Sequence, residues 1–263
     1  MQRAANDTGY CCPFFLYLHM IKESRTIACY ETDAARNLKP YAFMNLAQEM
    51  ANQDALGLGF GYEQLIEKQT IWVLSRVEVR FVRPPVWKEP VVMETWHKGE
   101  DGIFWLRDFL IRNRDETEDL VRATSSWLII HVNTRRIQRP QHILHASLLQ
   151  EKATRHAIAT PCEKIPVPKN ELCYVESKKV CFSDIDFNQH TNNARYIEWA
   201  VDCLDTELVT KHSVEMFRIN FNAESRLSET LDLFVAETAP LGRYIEGRTG
   251  DKNVFQVQVS FTS

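Results

Sequence analysis

Asp186, Asn188 and His190 stand on alternate positions in the stretch SDIDFNQHTNNARYIEW, just ahead of a segment with helical periodicity. On an extended or turn backbone, alternate residues face the same side. A carboxylate beside an imidazole can orient it and stabilise its protonated form, leaving the other ring nitrogen free to take a proton. The helix that begins near Asn193 would aim unpaired backbone N–H groups at the same spot, with Asn193 and Ala194 as the candidate donors to a developing oxyanion. A general base contributes about 10²–10⁴ in rate and an oxyanion donor about 10²–10³. Helix capping alone would account for Asp186 or Asn192 but not for the histidine. Glu224, in FNAESRLSETL, ends an alternating strand, a position that suits either a solvated strand end or an active-site acid.

The elements that must hold these residues repeat. In the first half, ETDAARNLKPYAFMNLAQEMANQDA carries Phe43, Leu46, Ala47 and Met50 at the spacing of a buried helix face. WVLSRVEVRFV then alternates, with Val73, Val77, Val79 and Phe81 on one side and Arg76, Glu78 and Arg80 on the other. EPVVMETW, FWLRDFLIRN and SSWLIIHVN add further strands. GLGFG reads as the end of the first helix, with glycine relieving a left-handed cap. In the second half, Ile197, Ala200, Val201 and Leu204 repeat the helical stripe. MFRINFN, LDLFVAET, RYIEGRTG and VFQVQVSFTS repeat the strands, the last with Phe255, Val257, Val259 and Phe261 on one face. Each half is a loop, a long helix and an antiparallel meander, an α+β arrangement in which two units could share one sheet.

The register supports duplication. Asp33 and Asn37 lie 153 residues before Asp186 and His190, and Phe81 lies 140 before Phe221, which sets Pro84 opposite Glu224. The first half keeps the acid but has Asn where the second has His, so one active site per chain is expected, in the second half. The expected division is an N-terminal extension (1–25), a first unit (26–139), a linker (140–175) and a second unit (176–263). The linker holds Pro140, Pro161, Pro166 and Pro168 and a helix-like run, HILHASLLQEKATRHA.

Composition narrows the class. The chain has 263 residues and a net charge of −4, which gives no reason to expect nucleic acid binding. Seven cysteines without a Cys-x-x-Cys pair read as reduced thiols of a cytoplasmic protein. CCPFFLYLHM is too short to span a bilayer and lacks the flanks of a secretion signal. His142 and His145 form an H-x-x-H pair with no nearby Cys or acid to complete a metal site, so neither metal nor cofactor is expected. Arg135, Arg136 and Arg139 cluster in TRRIQRP, at a strand end, as a solvated edge or a docking patch for an acidic partner.

DIDFNQHTNNARYIEW closely resembles the D-x-D-x-N-Q-H-x-N-N-x-x-Y-x-x-W signature of the acyl-acyl-carrier-protein thioesterases, the fatty-acyl chain terminators of plants and their bacterial relatives. WVLSRVEVRFVRPPVWKEPVVMETW and WLIIHVNTRRIQRP are similar to that family's first-half segments, so the resemblance runs from about Cys29 to the end. It implies a tandem hotdog fold, with the acyl pocket largely in the first unit and catalysis in the second. It implies hydrolysis of fatty acyl-carrier-protein thioesters, with the family's Asp, Asn and His falling on Asp186, Asn188 and His190 and its Glu on Glu224. The partner would be acyl carrier protein, docked on Arg135, Arg136 and Arg139. Where the family has Glu-Cys, this chain has Glu224-Ser225, and a serine hydroxyl is a far weaker nucleophile than a thiolate. Direct attack by water is therefore favoured over a covalent route. An acyl-CoA thioesterase and a non-catalytic acyl-binding protein of the same fold stand as alternatives. A hotdog hydratase is disfavoured because its D-x-N-P-x-H pattern is absent. Tandem fusion removes the need for a dimer, although such surfaces often associate further, and a homodimer stays open.

Overall fold

The computed structural model describes residues 20–139, 143 and 153–263. Its first half runs β1 (Met20–Thr26), α1 (Pro40–Gly57), α2 (Tyr62–Glu67), β2 (Thr70–Phe81), β3 (Pro90–Asp101), β4 (Phe104–Asn113), β5 (Asp119–His131) and β6 (Ile137–Gln138). The second runs β7 (Cys173–Lys179), α3 (Asn193–Asp202), α4 (Thr206–Lys211), β8 (Val214–Phe221), β9 (Thr230–Ala239), β10 (Gly242–Thr249) and β11 (Lys252–Phe261). All pair antiparallel into one 11-stranded sheet, ordered β1-β3-β4-β5-β2-β8-β11-β10-β9-β7 with β6 on β5. The helix-on-sheet unit is written twice, as the tandem hotdog arrangement requires.

The halves meet at the β2–β8 pair, where Val77 faces Ile219, Glu78 faces Arg218 and Val79 faces Phe217. With the 140-residue offset, Glu78 sits opposite its own repeat mate, so the local two-fold passes through that pair. Arg218 Nε and Glu78 Oε2 are 2.9 Å apart, an ion pair on the axis. The continuous core beneath is built from both helices and both sets of inward strand faces.

Proline opens α1 at its first turn, where no intrahelical donor is needed. Phe43, Ala47 and Met50 of that helix are buried, and Leu46 is half-buried. The helix closes as read from GLGFG, with Gly59 at φ +81° and the Leu58 N–H on Asp54 O at 3.0 Å. Helix α3 begins at Asn193 and buries Ile197 and Ala200. In β2, a register shift between Leu74 and Arg76 changes the expected face. Leu74 is buried, and Val73 is only half-buried.

Two boundaries differ from expectation. Residues from Met20 belong to the sheet, paired from Met20↔Trp96 to Thr26↔Pro90, rather than to an extension ending at 25. MIKESRT is polar because edge strands are only half-covered, which hides them from a hydrophobic pattern. Residues Cys173, Tyr174 and Val175, assigned to the linker, already form the start of β7. The helix-like run from 142 to 157 lies largely outside the described residues, as does the His142/His145 pair, and residues 153–157 are not helical.

The described part of the linker is a strap over the outer face of the first half. Trp96 Nε1 donates to Arg155 O (3.1 Å), the Ala157 N–H to Asp108 Oδ2 (2.8 Å) and Arg76 Nη1 to Cys162 O (3.3 Å). Ala153, Ile158, Cys162 and Ile165 of the strap are themselves buried.

Candidate active site

The site begins with a turn. The Asp186 N–H donates to His190 O (2.9 Å) and the Gln189 N–H to Asp186 O (3.0 Å), with Gln189 left-handed at φ +64°. Asp186 Oδ1 accepts the N–H groups of Asn188 (2.9 Å) and His190 (3.3 Å). Asp186, Asn188 and His190 are thus wound into a closed turn rather than extended, and all three line one cavity. The expectation that Asp186 orients the imidazole needs correcting. The carboxylate oxygen in use holds the backbone of the turn, an Asx-type role.

The imidazole's carboxylate comes from elsewhere in the chain: His190 Nε2 lies 3.1 Å from Glu224 Oε2. Glu224 is placed by its neighbour. Ser225 is fully buried, its Oγ 2.7 Å from Thr191 Oγ1 and 2.9 Å from Tyr196 OH, and its carbonyl accepts the Thr191 N–H at 2.9 Å. The hydroxyl at this position therefore clamps the Glu224 segment to the residue after His190, and Ser225 does not line the cavity. Burial raises the Tyr196 phenol above its ordinary range, so it serves this network as a neutral hydroxyl.

Helix α3 closes the site. Asn192 Oδ1 accepts the Ala194 N–H at 2.9 Å, a side-chain N-cap. Ala194 is thereby corrected as an oxyanion donor, because its amide is already engaged. The Asn193 N–H meets no acceptor among the described residues and remains as the helix-end donor. Gln48 on α1 ties the first half to this end, accepting from Asn193 Nδ2 (2.9 Å) and donating to Asn192 Oδ1 (3.3 Å).

The arginine cluster divides. Arg135, with its backbone at φ +55°, turns its side chain onto Glu224 Oε1 as an ion pair and lines the cavity. Arg136 and Arg139, exposed like Arg135, do not line the cavity. Neither the Arg135 contact nor the Gln48 bridge was foreseen, since both join residues far apart in the chain.

The cavity has a volume of about 610 Å³ and runs from this turn into the first half. Its first-half walls include Phe60, Leu65, Trp72, Trp105 and Trp127, together with the polar Gln48, Asn52 and Arg107. Among the described residues, no group of three or more His, Cys, Asp or Glu side chains is arranged to hold a metal ion. No helix among them is long and apolar enough to cross a membrane.

Residues 19–146 match the acyl-ACP thioesterase N-terminal domain, and residues 170–260 match the acyl-ACP thioesterase C-terminal domain. The chain is 26% identical over 234 residues to oleoyl-acyl carrier protein thioesterase 1, chloroplastic, of Arabidopsis thaliana, covering 84% of this chain and 65% of that protein. It is 26% identical over 221 residues to dodecanoyl-[acyl-carrier-protein] hydrolase, chloroplastic, of Cinnamomum camphora, covering 81% and 58%. It therefore spans about three-fifths of the length of these plant relatives. A solved acyl-ACP thioesterase from Bacteroides thetaiotaomicron superposes with a TM-score of 0.83 at 26% identity, covering 93% of this chain and 98% of that one. The 12:0-ACP thioesterase of Umbellularia californica, at 21% identity and a TM-score of 0.79, shares the fold over 95% of this chain and 99% of its own. With both domains matched in order over most of its length, the chain belongs to the acyl-ACP thioesterase family.

Proposed function

We propose that this protein hydrolyses fatty acyl-acyl-carrier-protein thioesters to free fatty acid and holo-carrier protein, a chain-ending step of fatty acid biosynthesis. The observation that carries this reading is the His190–Glu224 pair, 3.1 Å apart in the wall of a cavity of about 610 Å³ that Phe60, Trp72, Trp105 and Trp127 also line. The acyl chain occupies the aromatic-walled interior and the thioester carbonyl lies at the turn. His190 and Glu224 hold a water molecule and take its proton as its oxygen adds to the carbonyl carbon. The Asn193 N–H faces the developing oxyanion, and Asn188 holds water or substrate. The C–S bond then breaks, and the departing sulfur receives the proton held by the pair. A thiol of ordinary pKa near 8.5 needs little help in leaving. Asp186 contributes by holding the turn. Ser225 takes no covalent part, consistent with its burial.

Arg136 and Arg139, exposed on the hairpin beside the site, suit docking of an acidic carrier. The free thiols of Cys29, Cys162, Cys173, Cys181 and Cys203 support a reducing, cytoplasmic setting. Every element of the site comes from one chain, so a homodimer is not needed for activity.

The test is thiol release from acyl-carrier-protein and acyl-CoA substrates of graded chain length. Release from the carrier substrates is the expected result and reports the chain preference together with the activity. Release from CoA substrates alone would move the assignment to an acyl-CoA thioesterase. Tight acyl binding without release would make the protein a binding module.

A further inference from the structure

Glu224 is held from two directions: Oε2 faces His190 Nε2 in its own half, and Oε1 is paired with Arg135 from the first half. We propose that Arg135 is a positioning residue for thioester hydrolysis, pinning the Glu224 carboxylate so that its second oxygen stays on His190. This role rests on the hydrolase reading above. It makes the second-half site depend on a first-half side chain.

Three observations support it. First, the hairpin between β5 and β6 is shaped to present this residue. The Arg135 N–H donates to His131 O and the His131 N–H to Arg136 O, both at 2.9 Å. His131 Nδ1 accepts the N–H groups of Asn133 (3.2 Å) and Thr134 (3.4 Å), and Arg135 itself adopts a left-handed φ of +55°. Left-handed non-glycine backbone persists where its surroundings over-determine it, and such positions cluster at functional sites. Second, Glu224 lies beyond the end of β8, outside the strand ladder, and its side chain is 28% exposed. The clamp through Ser225 fixes its backbone and leaves the carboxylate free to rotate unless something grips it. A guanidinium, permanently charged and planar, is suited to that task. Third, all three arginines of the cluster are exposed, but Arg135 is the one that lines the cavity and reaches Glu224. The three arginines therefore do two jobs, and Arg135 is removed from the docking patch to which the sequence assigns it.

The experiment measures kcat and KM separately for Arg135→Ala, Arg135→Lys and the Arg136→Ala/Arg139→Ala double variant. Each is assayed on an acyl-carrier-protein substrate and on the same acyl chain carried by pantetheine alone. A misplacement of about 1 Å at a reacting group can cost about 10²-fold in rate. Arg135→Ala should accordingly lose on the order of 10²-fold in kcat with KM little changed, on both substrates. Arg135→Lys, which restores the charge without the fork, should recover part of the loss. The double variant should raise KM on the carrier substrate alone. Parent-level kcat in Arg135→Ala, or a defect confined to KM for the carrier substrate, would overturn the positioning role while leaving the hydrolase reading intact. If Arg135→Ala does not fold, a lower kcat in Arg135→Lys with unchanged KM on both substrates supports the role, and parent kcat, or a rise in KM on the carrier substrate alone, overturns it. A parent protein that releases no thiol from either substrate would overturn both.

Discussion

The turns that open the two long helices are built on one plan and do different work. In the first half, Asp33 Oδ1 accepts the Asn37 N–H at 2.8 Å, the Asp33 N–H donates to Asn37 O at 2.9 Å, and Arg36 sits at φ +68°. In the second half, Asp186, His190 and Gln189 repeat those bonds and that conformation. Each turn follows a short 3-10 turn whose acid accepts a backbone N–H, Glu31 from Ala28 and Asp184 from Cys181, both at 2.8 Å. Each borders a cavity of similar size, about 630 Å³ and about 610 Å³. The difference lies in two side chains. Where the second half has His190 and Glu224, the first has Asn37 and Pro84, and the Asn37 amide donates to Ser213 Oγ at 3.0 Å. Aspartate, turn and cavity are therefore properties of the repeated fold, and the chemistry is an addition to it.

The halves also differ on their outer faces. The strap buries Lys98 and Asp108, 3.3 Å apart, on the outer face of β3 and β4, while His97, on the opposite face, is buried in a stack on the cavity-lining Trp105. The repeat mate of His97 is Glu237, which is exposed. Burial pushes the His97 imidazole down to about 3.

Breaking the second-half addition should have the largest effect. Glu224→Gln keeps the shape of the side chain and removes its basicity, and kcat for thiol release should fall by about 10²–10⁴ with the fold unchanged by circular dichroism. Next in size is the acid limb of stability. An unfolded histidine gains its proton near pH 6.5, whereas His97 stays neutral to far lower pH, so in that window the unfolded chain binds more protons and stability falls as pH drops. At pH 5 this amounts to a loss on the order of 2 kcal/mol. His97→Phe, which keeps the stack on Trp105, should flatten the decline in denaturant midpoint between pH 7 and pH 5. The smallest effect sharpens the comparison most. Asp33→Ala and Asp186→Ala should each cost about 1 kcal/mol in denaturant unfolding, because each loses the same turn bond. Only Asp186→Ala should lower turnover, by moving His190.

What was legible in the sequence was local. The start of α3 at Asn193, the end of α1 at Gly57 and the faces of β8 and β11 follow from capping residues and short-range periodicity. The 153-residue offset could be read because it relates residue types rather than contacts. What stayed hidden depends on tertiary closure. The polar edge strand β1 shows itself only through pairing, and α2 is too short to carry a stripe. The irregularity after Leu74 shifts the inward face of β2 without a glycine to mark it. Asp186 could have faced imidazole or backbone, and only the closed turn decides between them. The Arg135–Glu224 pair joins positions 89 residues apart, and nothing in TRRIQRP separates the arginine that reaches Glu224 from the two that do not.

The most direct test of the division between scaffold and chemistry is kcat for thiol release from acyl-carrier protein by His190→Asn, measured beside Asn37→Ala. The first variant gives the second turn the residue of the first, and should lower kcat by about 10²–10⁴ while leaving the fold intact. The second should leave kcat within about twofold of the parent, as a change remote from the reacting groups. Parent-level turnover in His190→Asn, or an equal loss in Asn37→Ala, would contradict the assignment of the reaction to the second half.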